Sequence, residues 1–205
     1  FGGGTCLWKV LKGDRFSEDI DAYTSSIPKD FTDYLEKELT LLGITCSILK
    51  QKETANMIFL KFALSFPSHP REIMVSLEIL FGKRKETKEV TLYSPYPDIP
   101  PVDMVISSPE EMLANKVSST YKRNRPRDVH DVYFLLKLGT KINMLSIRRQ
   151  IPTFNLKTFE KKLLEKQKEW KSLEPLIVTK LPPINEEVGF ILSSFQRCLN
   201  NSKMK

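Results

Sequence analysis

The sequence predicts an α+β protein with an N-terminal α/β half and a C-terminal helical half. Between residues 44 and 107, short runs rich in β-branched and aromatic residues alternate with proline, glycine and charge clusters, a pattern typical of strands. After Ser107 these runs stop, and apolar residues recur at helical spacing instead. We therefore expect two domains, residues 1–107 and residues 108–205.

The composition is that of a folded globular protein. Of the 205 residues, 40% are hydrophobic and 28% are charged, and these fractions argue against disorder and against a coiled coil. The 32 Lys and Arg exceed the 25 Asp and Glu, which gives a net charge of +7. A positive field of this size attracts polyanions such as nucleic acid or nucleotide phosphate, but it also keeps a protein soluble, so charge alone leaves both interpretations open.

The cysteine pattern and the lack of long apolar runs predict a cytoplasmic protein. Cys6, Cys46 and Cys198 show no CxxC spacing, and together with the two histidines they do not make a zinc site. No apolar run approaches the ~18–20 residues of a membrane span, so we expect no membrane contact. The chain begins at Phe1 in a glycine run, and we expect that further sequence precedes it.

The N-terminal half begins with a helix, a strand and a second helix. A glycine turn leads into a helix predicted over 5–12, with Gly13 as its stop. Residues 18–24 alternate in polarity and predict a strand, and Pro28 begins a helix that ends at Gly43. An antiparallel or mixed sheet follows, with strands predicted over 44–50, 56–66, 72–81, 89–93 and 102–106. Four prolines in 94–101 predict an extended loop.

The C-terminal half begins at a capping box. Ser108 is followed by a proline and two glutamates, which predicts a helix to about residue 122. Pro126 begins a second helix, with Gly139 as its stop. Further helices are predicted over 143–150, 156–172 and 185–199.

The strongest functional signal is a glycine turn followed by two aspartates. Gly3, Gly4 and Thr5 open a helix with bare backbone N–H groups, which suits a triphosphate. Asp19 and Asp21 share a strand face, and carboxylates held so close repel unless a hard cation such as Mg²⁺ lies between them. Each feature alone is common, and an edge strand with solvated carboxylates also explains the aspartates. Together, and in this order, they predict the outline of a two-metal site.

A two-metal site needs a third acid, and Glu78 is the candidate. Its strand face also carries Met74, Ser76 and Leu80. A carboxylate flanked by apolar residues is costly to bury without a cation or hydrogen bonds, which favours a functional role. The alternative is a partly exposed strand acid.

In order and spacing, the motifs resemble those of the AbiEii/AbiGii nucleotidyltransferase toxins. The resemblance covers most of the chain up to about Leu138, and beyond it only the helical character is shared. The matching motifs are Gly3-Gly4-Thr5, Arg15-x-Ser17-x-Asp19-x-Asp21, the strand acid Glu78, Leu113-Ala114-x-Lys116 and Arg127-Asp128-x-x-Asp131-x-Tyr133-Phe134-Leu135-Leu136.

The resemblance implies a polymerase-beta-like nucleotidyltransferase domain followed by a C-terminal helical bundle. It implies the toxin of a toxin–antitoxin pair, with a cognate antitoxin as partner. Members of the family transfer a nucleotide from an NTP with Mg²⁺, and for some the acceptor is the 3′ end of tRNA.

The resemblance also implies roles for individual residues. The implied nucleotide-binding residues are Gly3, Gly4, Thr5, Arg15, Ser17, Lys116 and Asp128. The implied metal ligands are Asp19, Asp21 and Glu78, and the implied catalytic residues are these three acids with Lys116 and Asp131. Glu78 stands where the family often has aspartate, and it is implied to activate the attacking hydroxyl.

Physical reasoning gives simpler explanations for some of these side chains. Lys116 lies at the border of an apolar helix stripe, where a lysine either points into a cleft or, more commonly, extends outward to solvent. Asp128 lies in a first helical turn, where the helix dipole favours a carboxylate whatever its function. Asp131 lies one turn later without that explanation, and we interpret His130 as a surface or packing residue.

Four cations occur in six residues between two predicted helices, and they are Lys122, Arg123, Arg125 and Arg127. This cluster could bind an RNA backbone, or it could be a solvated basic turn, and the sequence favours neither. The whole sequence predicts a Mg²⁺-dependent nucleotidyltransferase with an RNA acceptor. The alternatives are nucleotide transfer to a small molecule or protein, and a nucleotide- or RNA-binding module without catalysis.

Overall fold

The computed structural model describes residues 1–82, 86–97 and 99–203, so Asp98 of the predicted loop 94–101 lies outside the described residues. The chain forms two compact units, and each is described by itself. The first contains Phe1–Leu11 and Ser17–Ile106. The second contains Lys12–Phe16 and the described residues from Ser107 onward. The sequence places residues 12–16 in the first domain, whereas in the structure they pack with the helices of the second unit.

The first unit is an α/β layer structure. Its elements are α1 (Gly3–Lys9), β1 (Asp19–Thr24), α2 (Phe31–Leu41), β2 (Thr45–Thr54), β3 (Met57–Phe66), β4 (His69–Phe81), β5 (Thr87–Leu92) and β6 (Val102–Ser107), the last of which ends at the unit boundary. The main sheet has the strand order β1-β4-β3-β2, and β5 pairs with β6 in a separate sheet. Since β1 runs parallel to β4 while β3 is antiparallel to both β2 and β4, the sheet is mixed, and the predicted α+β class is confirmed.

One face of the main sheet carries the core of this unit. Ile58, Leu60, Phe62 and Ile79 are buried there, and Leu60 is fully enclosed. The apolar residues of α2 pack on this face, because the spacing of Phe31 and Leu35 aligns them along one side of the helix. In β1 and β4, alternation therefore sends Asp19, Asp21 and Glu78 to the opposite face.

In the first unit, two helix boundaries lie three residues from those predicted. The first helix ends at Lys9 rather than residue 12, since the amides of Val10 and Leu11 both donate to the Cys6 carbonyl and close the helix. Lys12 then takes a positive φ of 60°, as the chain turns into the second unit. The second helix begins at Phe31 rather than at Pro28, because Pro28 forms only a turn in which its carbonyl accepts the Phe31 amide.

The second unit is helical. Its elements are α3 (Pro109–Lys122), α4 (Pro126–Lys137), α5 (Met144–Gln150), α6 (Leu156–Leu164), a 3₁₀ segment (Glu165–Leu176) and α7 (Ile184–Lys203). The predicted capping box is confirmed, since the Ser108 hydroxyl accepts the Glu111 amide at 3.2 Å. The helix predicted over 156–172 divides at Glu165, where the 3₁₀ segment begins. None of the helices in the described residues combines the length and apolarity of a membrane span.

Residues 12–16 join the helical unit as a short extended strap. The Phe16 amide donates to the Leu176 carbonyl and the Val178 amide donates to the Asp14 carbonyl, both at 2.7 Å. Arg15 therefore pairs with Ile177 in an antiparallel bridge. This pairing places the side chains of Asp14 and Arg15 among the helices of the second unit.

Candidate active site

The three candidate metal-binding acids lie on one face of the main sheet. Asp19 and Asp21 are two residues apart in β1, so both point away from the core face, while Ile20 and Ala22 point toward it. Glu78 in β4 is the in-register partner of Asp21 on the neighbouring parallel strand. Strands in a sheet are ~4.8 Å apart, so the structure brings Glu78 beside Asp21. We call Asp19, Asp21 and Glu78 the acid face.

The glycine turn lies directly against the acid face. The Gly2 amide donates to the Asp21 carbonyl at 2.9 Å, which sets the turn beside β1. Gly3 has a φ of +70°, and a Cβ at this residue would overlap the Asp21 carboxylate. Only glycine accommodates both the backbone conformation and this close approach. The position of the Asp21 carboxylate therefore depends on the absence of a side chain at residue 3.

Thr5 supports the strand through its hydroxyl group. The Thr5 Oγ1 atom donates toward the carbonyl of Asp19 and lies 3.3 Å from that of Ser17. The hydroxyl is thus turned toward the start of β1, and Gly4 beside it is buried. Gly3, Gly4 and Thr5 form the predicted phosphate-binding set. Because the Thr5 hydroxyl is directed at the strand, the groups of this set that suit an anion are the backbone amides of the turn.

The donor types of the acid face suit a hard cation. Mg²⁺ is commonly held by one or two carboxylates, with substrate phosphates and water completing its coordination. The neighbouring carboxylates of Asp21 and Glu78 meet that requirement. Within residues 1–82, 86–97 and 99–203, no group of three His, Cys, Asp or Glu side chains already has the geometry of a metal centre.

The second unit contains its own buried group of charges. The Arg15 guanidinium donates two hydrogen bonds to the Asp131 carboxylate, of 2.7 and 3.0 Å. The Lys116 ammonium lies 2.7 Å from the same carboxylate and 3.8 Å from Asp128. Arg123 in turn binds Asp128 through bonds of 2.7 and 2.8 Å. We call these five residues the charge network, and its three cations exceed its two acids by one.

Because Asp131 is buried, its ionisation depends on the two cations that contact it. Removal from water opposes the ionisation of Asp131, but the charges of Lys116 and Arg15 outweigh this and hold the pKa of Asp131 far below its usual value. Lys116 is only 9% exposed, so the expectation that it extends to solvent is wrong. The reason is that α4 presents two carboxylates to it, which the local pattern of α3 does not reveal.

The predicted basic cluster is divided by this network. Arg123 is bound to Asp128, whereas Lys122 and Arg125 are exposed and make no ion pair with any described residue. Arg127 is half-buried, and both its burial and the nearby charges of Arg125 and Arg15 lower the pKa of its guanidinium. Excess positive charge therefore remains at the start of α4, a property that attracts phosphate.

Sequence analysis missed a second buried polar group, centred on His130. The His130 Nδ1 atom lies 2.7 Å from the Glu187 carboxylate, and its Nε2 atom lies 3.0 Å from the Asp14 carboxylate. Burial opposes the charged imidazolium, but the two carboxylates outweigh it and raise the pKa of His130. Of the two expected positions, surface or packing, the structure shows the buried one. The sequence near His130 gives no signal of this group, because both partners are distant along the chain.

The charge network predicts a large structural effect of Asp131→Asn. The amide leaves the buried charges of Arg15 and Lys116 without their main partner, and breaking a buried pair typically costs about 3–5 kcal/mol. We expect this decrease in the free energy of unfolding, measured by urea denaturation. Glu160→Gln, at an exposed residue of α6, should change it by less than about 0.5 kcal/mol. Equal stability of the two variants would contradict the geometry of the network.

Comparison with known proteins gives information on the family and the fold. The sequence matches one family model, described as "Nucleotidyl transferase AbiEii toxin, Type IV TA system", over residues 1–201. The search among curated proteins finds no match.

Two solved structures from Helicobacter pylori share the fold, each with a TM-score of 0.61 and 20% sequence identity. For JHP933 the alignment covers 99% of this chain and 85% of the other. For a putative nucleotidyltransferase these shares are 98% and 87%. The family match confirms the resemblance stated on the motifs, and this chain belongs to the AbiEii family of nucleotidyl transferase toxins of type IV toxin–antitoxin systems.

Proposed function

We propose that this nucleotidyltransferase uses Mg²⁺ to transfer a nucleotide from an NTP to RNA, with the 3′ end of tRNA as acceptor. Modification of tRNA ends in the cytoplasm would inhibit translation, which is an activity suited to a toxin restrained by an antitoxin. The observation that supports the chemistry best is the in-register pairing of Asp21 with Glu78, with Asp19 on the same face.

The acid face has the groups that nucleotidyl transfer requires. Asp19, Asp21 and Glu78 would bind Mg²⁺, which neutralises triphosphate charge and orients the α-phosphate. The acceptor hydroxyl oxygen attacks the α-phosphorus, the bond to the β-phosphate oxygen breaks, and pyrophosphate leaves. Glu78 is assigned as the base that takes the hydroxyl proton, because it lies beside Asp21 and is half-buried. No covalent enzyme intermediate is needed, so catalysis consists of positioning and charge neutralisation.

The glycine turn is assigned to the triphosphate. Gly3 lies against the Asp21 carboxylate, and in this assignment the backbone N–H groups of Gly3, Gly4 and Thr5 bind the phosphates of a nucleotide held there. The Thr5 hydroxyl serves the strand instead, since it is directed at the carbonyls of Ser17 and Asp19. In this assignment Ser17 contributes through its backbone to the shape of the turn.

Charges of the second unit are assigned to supporting roles. Arg15, Lys116, Asp128 and Asp131 bind one another, so they are assigned to nucleotide binding as one charge network rather than as separate ligands. Its excess of cations favours a polyphosphate. Lys122, Arg125 and Arg127 lack ion-pair partners among the described residues, and they are assigned to the RNA backbone.

The activity can be tested by label transfer. The purified protein is incubated with each α-labelled NTP, Mg²⁺ and total RNA. We expect label in a tRNA-sized band that is lost in the Asp19→Ala/Asp21→Ala variant, because the metal-binding carboxylates are gone. The matched control is Asp30→Ala/Asp33→Ala, which removes two exposed acids at the start of α2 and should retain transfer.

Two results would contradict the proposal. If the label is found on a small molecule or a protein and survives RNase, that molecule rather than RNA is the acceptor. Equal transfer by the wild type and the Asp19→Ala/Asp21→Ala variant would show that the acid face takes no part in the reaction.

The close approach of Gly3 to Asp21 predicts that Gly3→Ala is almost inactive. A methyl group at residue 3 displaces the Asp21 carboxylate, and a displacement of about 1 Å can lower a catalytic rate by about 100-fold. Gly43→Ala is the matched control, because Gly43 has a φ of +73° and open space around it. Both variants suffer the strain of a positive φ, but only Gly3→Ala also clashes with Asp21, so melting temperatures are measured to show that each variant is folded. Similar transfer rates would contradict a positioning role for Gly3.

A further inference from the structure

The sheet face that carries the acids also carries three lysines. Strand register aligns two rows across β1, β4, β3 and β2. The first row is Asp19, Ser76, Lys61 and Lys50, and the second is Asp21, Glu78, Phe59 and Lys52. This face is therefore acidic on β1 and β4 and basic on β3 and β2. We call Lys50, Lys52 and Lys61 the lysine cluster.

The lysine cluster contains an unfavourable contact. Lys50 and Lys61 are in-register partners on adjacent antiparallel strands, and like charges directly opposite each other destabilise a sheet. Both side chains are exposed, and neither ammonium group has an ion-pair or hydrogen-bond partner among the residues that the structure describes. Lys52 adds a third cation two residues from Lys50, so the cluster holds uncompensated positive charge.

Protection of the sheet edge explains only part of this cluster. β2 is an edge strand, and edge lysines prevent pairing with other chains, which accounts for Lys50 and Lys52. Lys61 lies in β3 between β2 and β4, so it has no edge to protect. Glu78 is its diagonal neighbour and within reach of a long side chain, but no ion pair joins the two in the structure. An external anion accounts for all three lysines.

An aromatic ring lies between the basic and acidic parts of this face. Phe59 is half-buried and has Glu78 on one side and Lys52 on the other. Lysines beside an aromatic side chain form the kind of surface that binds single-stranded nucleic acid, since the lysines contact phosphates and the ring stacks on a base. The glycine turn assigned to the triphosphate lies beside β1, whereas the ring and the lysines lie on β3 and β2.

We propose that the lysine cluster and Phe59 bind the single-stranded 3′ end of the RNA acceptor. This inference rests on the proposed RNA acceptor. At ~4.8 Å per strand, the backbone of Lys61 lies about 10 Å from Asp19 and that of Lys50 about 14 Å. The terminal hydroxyl of the RNA thus stays beside the acid face, while the preceding phosphates follow the lysines toward β2.

RNA binding at several salt concentrations tests the lysine cluster. The probe is a fluorescently labelled single-stranded RNA, and the Kd is measured by anisotropy. Each phosphate contact to a single strand contributes about 0.7 to the slope of log K against log salt. The Lys50→Ala/Lys61→Ala variant should therefore bind more weakly and have a slope smaller by about 1.4.

The matched control removes the same charge from the same unit. Lys29 and Lys37 are exposed at and near α2, which packs on the opposite face of the sheet. The Lys29→Ala/Lys37→Ala variant should retain the wild-type slope. A slope that falls equally in both double variants would show a general charge effect and would overturn the assignment.

A second pair of variants tests the ring. Loss of base stacking at Phe59 in Phe59→Leu should raise the Kd about 5-fold or more. Phe66→Leu at the far end of β3 should leave the Kd unchanged. Circular dichroism and melting temperatures show that each variant is folded. An unchanged Kd for Phe59→Leu would overturn the stacking role.

Label transfer separates this inference from the proposed function. If the wild type labels only a non-RNA acceptor while RNA binding still depends on the lysine cluster, the proposed function fails and the RNA site stands. If RNA is labelled equally by the wild type and the Lys50→Ala/Lys61→Ala variant, with equal Kd, the RNA site fails and the proposed function stands. If only the binding of an acidic peptide, and not that of RNA, depends on these lysines, the RNA assignment is also overturned.

Discussion

The parallel pairing of β1 with β4 is the contact on which the acid face depends. Ala22 packs with the core cluster on one side of the sheet, Ile20 shares its strand face, and this apolar packing fixes the register of β1. A slip by one residue would send both aspartates into the core, where unpaired carboxylates are costly. The packing that stabilises the sheet thus also places Asp21 beside Glu78. The same contacts therefore determine the register of the sheet and the geometry of the acid face.

The two units use charge in different ways. On the acid face the carboxylates are half-buried, so they can meet a cation from solvent. In the second unit Asp131 is enclosed by Arg15 and Lys116, and its charge is already balanced within the protein. An Asp131 variant can therefore lose activity because it is unfolded. Its folding must be measured before the loss is attributed to substrate binding. The same caution does not apply to Asp19, which has no such buried partners among the residues that the structure describes.

Local alternation was enough to predict part of the site. The period of two in a strand shows that Asp19 and Asp21 share a face, and it identifies the face of Glu78 without knowledge of the fold. It does not show which strands are neighbours. Glu78 and Asp21 are far apart in the chain, and the pairing of Lys50 with Lys61 follows an irregularity in the register of β2. The lysine cluster was therefore visible only in the structure.

Long-range side-chain partners explain the other differences. His130 is bound by Glu187 of α7 and by Asp14 of the strap, and no pattern within α4 indicates either contact. Lys116 is buried for the same reason, because its partners belong to the next helix. The boundary near residue 108 follows from composition, whereas the return of residues 12–16 to the helical unit depends on backbone bonds with Leu176 and Val178.

The central claim is that Asp21 and Glu78 act together on one divalent cation. The most direct measurement is a double-mutant cycle with Asp21→Asn and Glu78→Gln, in which the Mg²⁺ concentration for half-maximal nucleotide transfer is determined for each variant. Glu72→Gln serves as the control at an exposed residue of β4. Shared coordination predicts that the double variant needs little more Mg²⁺ than the weaker-binding single variant. Independent effects that multiply, or no change in the Mg²⁺ requirement, would contradict the claim.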